Sequence, residues 1–208
     1  MRPTKEDFGR SVDVSRETMD RLEAYADLLI KWNPKINLVS PGTLPDLWTR
    51  HFADSAQLAE IVSSPGQLWA DLGSGGGFPG AVVAILLLET HPETRFTLVE
   101  SDQRKAAFLR TVARETGAGF SVIAERVETI APLGAGTLSA RALAPLEALL
   151  TMTERHLAPG GLAIFPKGAH HESEVEAARK KWSFSLETLP SRTDPEAAVL
   201  KIGDIARV

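Results

Sequence analysis

The sequence predicts an α/β fold: a mostly parallel, doubly wound sheet of seven strands, preceded by a helical extension. Three observations lead there. Short apolar runs of strand length alternate with helix-length amphipathic segments after residue 66. A glycine-dense turn, Asp71-Leu72-Gly73-Ser74-Gly75-Gly76-Gly77-Phe78-Pro79-Gly80, joins an apolar run closed by an acid to a second apolar run. Residues 1–65 have helical patterning, and Ser63-Ser64-Pro65-Gly66 breaks the chain between the two regimes. The expected organisation is an N-terminal helical region over 1–65 and a main unit over 66–208, together one compact body.

Each element has its own signal. Leu22, Tyr25, Ala26, Leu29 and Trp32 recur at helical spacing, and Asn33-Pro34 is expected to end that helix, because the residue before a proline avoids the helical region. A second helical piece is expected from Leu44 to Val62. Leu68-Trp69-Ala70 reads as a buried strand and Ala81 to Leu88 as a helix packed on a sheet, with Pro79 in its first turn. Arg95 to Glu100, Phe120 to Ala124, Leu138 to Ala142 and Leu162 to Phe165 read as further strands, the last after the turn Pro159-Gly160-Gly161. Helices are expected from Gln103 to Glu115, stopped by Gly117, from Pro145 to His156 and from Glu172 to Lys181. Ser183 to Leu186 and Ala197 to Ile202 complete the sheet, with an antiparallel pair among these last strands.

Composition narrows the chemistry. With 208 residues, 43% of them hydrophobic, the chain can bury a full core without staples. It has no cysteine, which removes disulfides, thiolate metal sites, iron–sulfur clusters and thiol nucleophiles together. The histidines are scattered apart from His170-His171, so no metal centre is expected. Met1 to Arg10 is charged and lacks an apolar signal core, and Ala81 to Leu88 is too short to span a bilayer. A cytoplasmic protein with no membrane association is the expectation, and a monomer. The net charge of −4 gives no general attraction to nucleic acid, so any RNA contact must come from a local basic face.

The glycine loop is built to touch a ligand. Gly73, Gly75 and Gly77 allow positive φ and close backbone approach, and the free N–H groups of a helix start attract a carboxylate or phosphate. Two cofactors compete for it. Gly75-x-Gly77-x-x-Gly80 satisfies the dinucleotide fingerprint, and Glu100 lies 20 residues beyond Gly80, where an acid could hold a ribose hydroxyl. Yet D-x-G-x-G-x-G from Asp71 to Gly77 is the pattern of S-adenosylmethionine-dependent methyltransferases, and Asp71 would repel a pyrophosphate while suiting an ammonium-bearing ligand. Glu100 could then accept the two ribose hydroxyls, or merely cap the next helix. Val127 and Glu128 stand where an adenine ring would be gripped, or where a helix begins.

The motifs together resemble the ribosomal small-subunit methyltransferase G family, also called glucose-inhibited division protein B, over nearly the whole chain. They include Leu28 to Ser40, with Lys31-Trp32-Asn33-Pro34-Lys35 at its centre, Arg50-His51-Phe52-Ala53-Asp54-Ser55, Asp71 to Gly80 and Leu98-Val99-Glu100-Ser101. Arg104-Lys105, Phe108-Leu109-Arg110, Arg126-Val127-Glu128, Ser139-Ala140-Arg141-Ala142 and Pro166-Lys167-Gly168 complete the match. The resemblance implies a Rossmann-like class I fold, S-adenosylmethionine as cofactor, and methylation of N7 of one guanine in the decoding-site loop of 16S rRNA, with free rRNA or the 30S subunit as partner. It places donor contacts on Gly73, Phe78, Val127, Glu128 and Arg141. Family members often carry Asp where Glu100 stands and Leu where Phe78 stands, changes that keep the chemical type.

That chemistry suits what the chain lacks. N7 of guanine has an in-plane lone pair and no proton, so alignment replaces a general base. Methylation at pyrimidine C5 would need a cysteine, and the acid-or-amide, Pro-Pro, aromatic motif common for exocyclic amines is absent after the fourth strand, where Ser139-Ala140-Arg141-Ala142 stands. From Asp102 to Arg114 there are four basic residues against one acid. Arg50, Arg104, Lys105, Arg110 and Lys167 are the candidate RNA contacts, and Arg141 and Lys167 the candidate positioning groups. A solvated surface is the default explanation for any single one of these, and a packed, hydrogen-bonded role is the default for His51. A small-molecule methyltransferase on the same fold stays open beside these readings.

Overall fold

Seven strands, β1 (Leu68–Leu72), β2 (Arg95–Val99), β3 (Ser121–Ile123), β4 (Ala135–Ser139), β5 (Leu157–Lys167), β6 (Trp182–Pro190) and β7 (Ala198–Arg207), lie in one sheet in the order β3-β2-β1-β4-β5-β7-β6. The computed structural model describes residues 5–208, so the first four residues of the charged start at Met1 to Arg10 lie outside the described residues. β1 pairs in parallel with β2 and β4, β2 with β3, and β4 with β5. β7 runs against both β5 and β6, so one reversed strand closes an otherwise parallel sheet. The order reverses beside β1, leaving a crevice beyond the carboxyl ends of β1 and β4, the usual ligand position in such sheets.

Helices cover both faces: α4 (Gly80–Leu87), α5 (Gln103–Thr116), α6 (Leu146–His156) and α7 (His171–Ala178) join α1 (Lys5–Ser11), α2 (Arg16–Ile36) and α3 (Asp54–Ile61) from the N-terminal region. Two cores result, one per face. The first joins Leu22, Tyr25, Leu29 and Phe52 to Trp69, Phe78, Val82 and Phe108, so the N-terminal helices complete the core under α4 and α5. The second joins Leu72, Val99 and Val127 to Leu146, Leu150 and Phe165. No helix among the described residues is long and apolar enough to cross a membrane.

Several boundaries differ from the sequence expectation for identifiable reasons. α2 runs through Asn33-Pro34 to Ile36 and ends at Asn37 in the left-handed region (φ 49°), whose N–H bonds to Asn33 O. Pro34 falls in the last turn, so little helix follows it to be disrupted, and the Asn33 side chain accepts from Val39 N at 2.9 Å, which holds the chain just past the cap. The piece expected as one helix from Leu44 to Val62 is a tight 3₁₀ turn (Pro41–Asp46), a wide π turn (Trp48–Ala53) and then α3. Asp54 N bonds back to Thr49 O across the wide turn, a bulge of a kind common at functional sites.

β4 starts three residues before the expected Leu138. Gly136 lets the chain pass against Gly66 there: an added Cβ would lie 3.4 Å from the Gly66 Cα. Pro79 caps α4 rather than entering it. β5 begins before Pro159-Gly160-Gly161: its register on β4 steps from Ala135↔Leu157 to Thr137↔Leu162, so the turn is a bulge within the strand.

Candidate functional site

The glycine loop leaves β1 and is held by backbone bonds that the glycines make available. Gly73, Gly75 and Gly77 all have positive φ (64°, 57° and 97°). Ser74 N donates to Val99 O at 3.0 Å, which ties the loop to the end of β2, and Gly77 N returns to Ser74 O at 2.7 Å. Glu100 reinforces the tie: its Oε2 accepts from Gly75 N and its Oε1 from Asp102 N, both at 2.8 Å. A carboxylate retains further lone pairs after two such bonds, so Glu100 can still accept hydroxyls.

Above the loop lies an inner cavity of about 410 Å³, within the range of small-ligand sites. Gly73, Gly75, Phe78, Glu100, Val127, Glu128 and Arg141 line it, so seven of the nine residues expected to hold a cofactor converge there, joined by Lys105. The other two stand behind the wall. Asp71 is fully buried beneath the loop, where Oδ1 accepts from Ser139 Oγ at 2.7 Å and Ser139 Oγ in turn accepts from Trp69 Nε1 at 2.9 Å. Burial pushes its carboxyl up to about 6, the Ser139 bond offsetting part of the effect, and Oδ2 has no hydrogen-bond partner among the described residues. Asp71 thus lies beneath the loop and outside the cavity lining, its carboxyl bonded to Ser139 of β4. Gly77 likewise faces protein: a Cβ there would collide with the Tyr25 hydroxyl and meet Ala81 Cβ at 3.0 Å. Tyr25, which sequence periodicity marks only as core, donates to Gly76 O, and burial raises its hydroxyl well above its ordinary value.

An outer cavity of about 700 Å³ adjoins the inner one, and Arg141, Ala142 and Leu143 line both. Ala142 has φ 53°, a conformation uncommon without glycine, and it turns the chain just after Arg141. Arg141 is heavily tied: Nη1 donates to Asp54 Oδ2 (3.1 Å) and Arg50 O (3.2 Å), and Nη2 to His51 Nδ1 (2.8 Å). Its guanidinium also lies over the Phe78 ring, 5.1 Å from the centroid. Since arginine only donates, His51 Nδ1 is the bare nitrogen, and Nε2 carries the proton given to Thr43 Oγ1 at 2.9 Å. Burial first, then the Arg141 and Arg50 charges, hold His51 down at about 3, so it is neutral. Asp54 is the hub: its Oδ1 also accepts from Gln57 Nε2 (3.0 Å) and Thr193 Oγ1 (2.9 Å).

The candidate RNA contacts fall in three places, Lys105 at the inner cavity being one. Arg50 and Lys167 reach the outer cavity, but Lys167 is only 10% exposed and is held by Glu174 Oε2 (2.7 Å) and Ala144 O (2.9 Å), so it ties β5 to α6 and α7 and is not a free phosphate ligand. Arg104 and Arg110 lie on the exposed side of α5, Arg104 near Asp102 at 3.5 Å and Arg110 donating to Val122 O at 3.4 Å. Asp54, quoted in the sequence only as part of the Arg50 to Ser55 motif, and Thr193 were given no site role there, because a lone acid and a lone threonine in different segments carry no local pattern. No group of histidines and acids among the described residues could hold a metal ion.

The chain is 55% identical over 198 residues to a ribosomal RNA small subunit methyltransferase G of Ruegeria pomeroyi, covering 95% of this chain and 97% of that one. It is 51% identical over 197 residues to the protein of that description from Cereibacter sphaeroides, with 95% and 96% coverage. Among solved structures, an O-methyltransferase of Bacillus cereus in complex with SAH superposes with a TM-score of 0.59 at 11% identity, covering 95% of this chain and 96% of that one, a likeness of fold. The model of the family described as rRNA small subunit methyltransferase G matches residues 18–196, and the chain belongs to that family.

Proposed function

We propose that the protein transfers a methyl group from S-adenosylmethionine to N7 of a guanine in the decoding-site loop of 16S rRNA. The observation that carries this reading is the pair of cavities joined at Arg141, Ala142 and Leu143. The inner cavity suits a nucleoside donor. A Cβ on Gly73 would come within 2.5 Å of Leu143 Cδ1, so only glycine leaves this wall intact, while an added Cβ on Gly75 would meet nothing nearer than 3.9 Å. Glu100 would take the ribose hydroxyls, Val127 and Leu143 would flank the purine, and the loop amides would face the carboxylate. When bound, S-adenosylmethionine supplies an electrophilic methyl group on a sulfonium.

The protein's own groups then orient and shield. His51 has its bare nitrogen committed to Arg141 and its N–H to Thr43, so it has no lone pair left to take a proton. Asp54 is engaged by Arg141, Gln57 and Thr193. An acceptor that must lose a proton would need a free base, whereas guanine N7 does not. The Arg141 charge is balanced by Asp54, which limits repulsion of the cationic ring that N7 methylation creates. Arg50, exposed at the outer cavity, and Lys105 at the inner one are the contacts for phosphate, and membership of an rRNA methyltransferase family supports RNA as the acceptor. The 1–65 and 66–208 regions act as one unit in this reading, because α2 and α4 share a core.

The test is transfer of labelled methyl to 30S subunits and to stripped 16S rRNA from cells lacking the modification. Borohydride and aniline treatment, which cleaves at cationic 7-methylguanine, would then map the base. A single cleavage in the decoding-site loop is expected; label elsewhere, or none on either substrate, overturns the proposal. The net charge of −4 favours a second reading, a small-molecule acceptor. A steep fall in acceptor affinity with salt, expected for RNA, separates the two.

A further inference from the structure

The 126–130 turn that forms one wall of the inner cavity follows β3, which ends at Ile123, and it is held by the far end of α6. His156, the last residue of α6, is fully buried, and its Nε2 lies 3.0 Å from Val127 O. A carbonyl only accepts, so Nε2 bears the proton. Nδ1 is then a bare nitrogen, buried and without a partner among the described residues. Burial lowers the imidazole's proton affinity, with the Val127 bond opposing and the Arg155 charge adding to the effect, so the ring is neutral. Next to it, Arg155 Nη2 donates to Ile130 O at 2.8 Å. One turn earlier on the same helix, Met152 lines the cavity itself. A leucine would fill the His156 position with no unpaired atom, but it could not donate to Val127.

We propose that His156 is a positioning residue for the purine end of the donor, its Nε2–H acting through the Val127 carbonyl to fix the peptide that flanks the ring. It touches neither donor nor acceptor. This inference rests on reading the inner cavity as the donor site. The bond is available only to a donor at the Nε2 position, which glutamine reproduces and leucine does not.

The experiment compares native protein, His156→Leu and His156→Gln. In His156→Leu, the Kd of S-adenosylhomocysteine, the Ki of adenosine and the KM of S-adenosylmethionine should each rise roughly 10-fold, the loss of one buried hydrogen bond. Turnover at saturating donor should stay within about 2-fold of native, because positioning of the purine is then restored by mass action. His156→Gln should recover most of the affinity. A leucine variant that binds all three compounds as tightly as native, or one that loses turnover with donor KM unchanged, overturns the inference. If the leucine variant does not fold, histidine-selective ¹⁵N spectra of the native protein decide: adenosine should shift the protonated Nε2 signal of His156. Adenosine binding without that shift overturns the inference. Native protein that binds neither S-adenosylhomocysteine nor adenosine overturns the donor-site reading along with it.

Discussion

The two cavities that meet at Arg141 are made of different materials. The inner one is built largely from backbone: three positive-φ glycines, a loop pinned to Val99 O, and a carboxylate that holds two amides. The outer one is built from charged side chains paired across the fold, Arg141 with Asp54 and Lys167 with Glu174. Backbone walls take their shape from main-chain conformation and main-chain hydrogen bonds. Ion-paired walls fix positions too, but through bonds that one substitution can release. The difference suits an invariant small donor on one side and a large polyanion on the other.

Arg141 belongs to both walls, so it is where the contrast is easiest to break. Arg141→Ala should lower kcat/KM by roughly 10³-fold, since it leaves the half-buried Asp54 carboxylate without its cation and opens the junction at once. Asp54→Asn, which keeps the shape and weakens the pair, should fall between that variant and native. Gly73→Ala should weaken donor binding by about 10²-fold in calorimetry, because φ +64° and the approach to Leu143 both oppose a side chain. Donor affinity unchanged in that variant would show that the backbone wall is not the donor's.

The next prediction concerns the carboxyl beneath the loop. Folding raises the Asp71 carboxyl from 3.8 to about 6, so the protonated form is favoured in the folded state. The stabilisation from that proton is complete below pH ~4 and is lost as pH rises through ~6, an amount of about 2–3 kcal/mol. Relative to native, Asp71→Asn should therefore gain stability across that window and show a constant difference above pH ~7.5. Chemical unfolding at several pH values checks it. A smaller effect is expected from Thr193→Val, which removes one bond to Asp54 and should lower kcat by about 5-fold with donor Kd unchanged. The smallest is Arg104→Ala on the outside of α5, where RNA affinity should change by less than about 3-fold and the log–log salt slope by about 1 at most.

The same contrast explains how much was legible in the sequence. Glycines at 73, 75 and 77 announce a turn because their conformations are a local requirement, and β1 and α4 follow from unbroken apolar runs on either side. Seven strands in an alternating order were readable for the same reason. The burial of Asp71 was not legible, because spacing reveals that an acid ends a strand, not which way it faces; the Trp69–Ser139 chain that buries it spans 70 residues of sequence. The outer cavity draws on residues 46–57, 141–145, 166–174 and 191–199, and each charge in it resembles ordinary surface until the fold assembles them. α2 ran past Asn33-Pro34 because the proline falls in the last turn, where Asn37 N–H closes on Asn33 O and the Asn33 side chain holds the chain beyond the cap by accepting from Val39 N.

The most direct measurement is a crystal structure of the protein with S-adenosylhomocysteine and 7-methylguanosine monophosphate. The expected result places the adenine against Val127, the ribose on Glu100, and the methylated ring at the Arg141–Leu143 junction with its phosphate toward Arg50. Adenine density in the outer cavity, or a guanine bound away from that junction, would contradict the division of labour between the two sites.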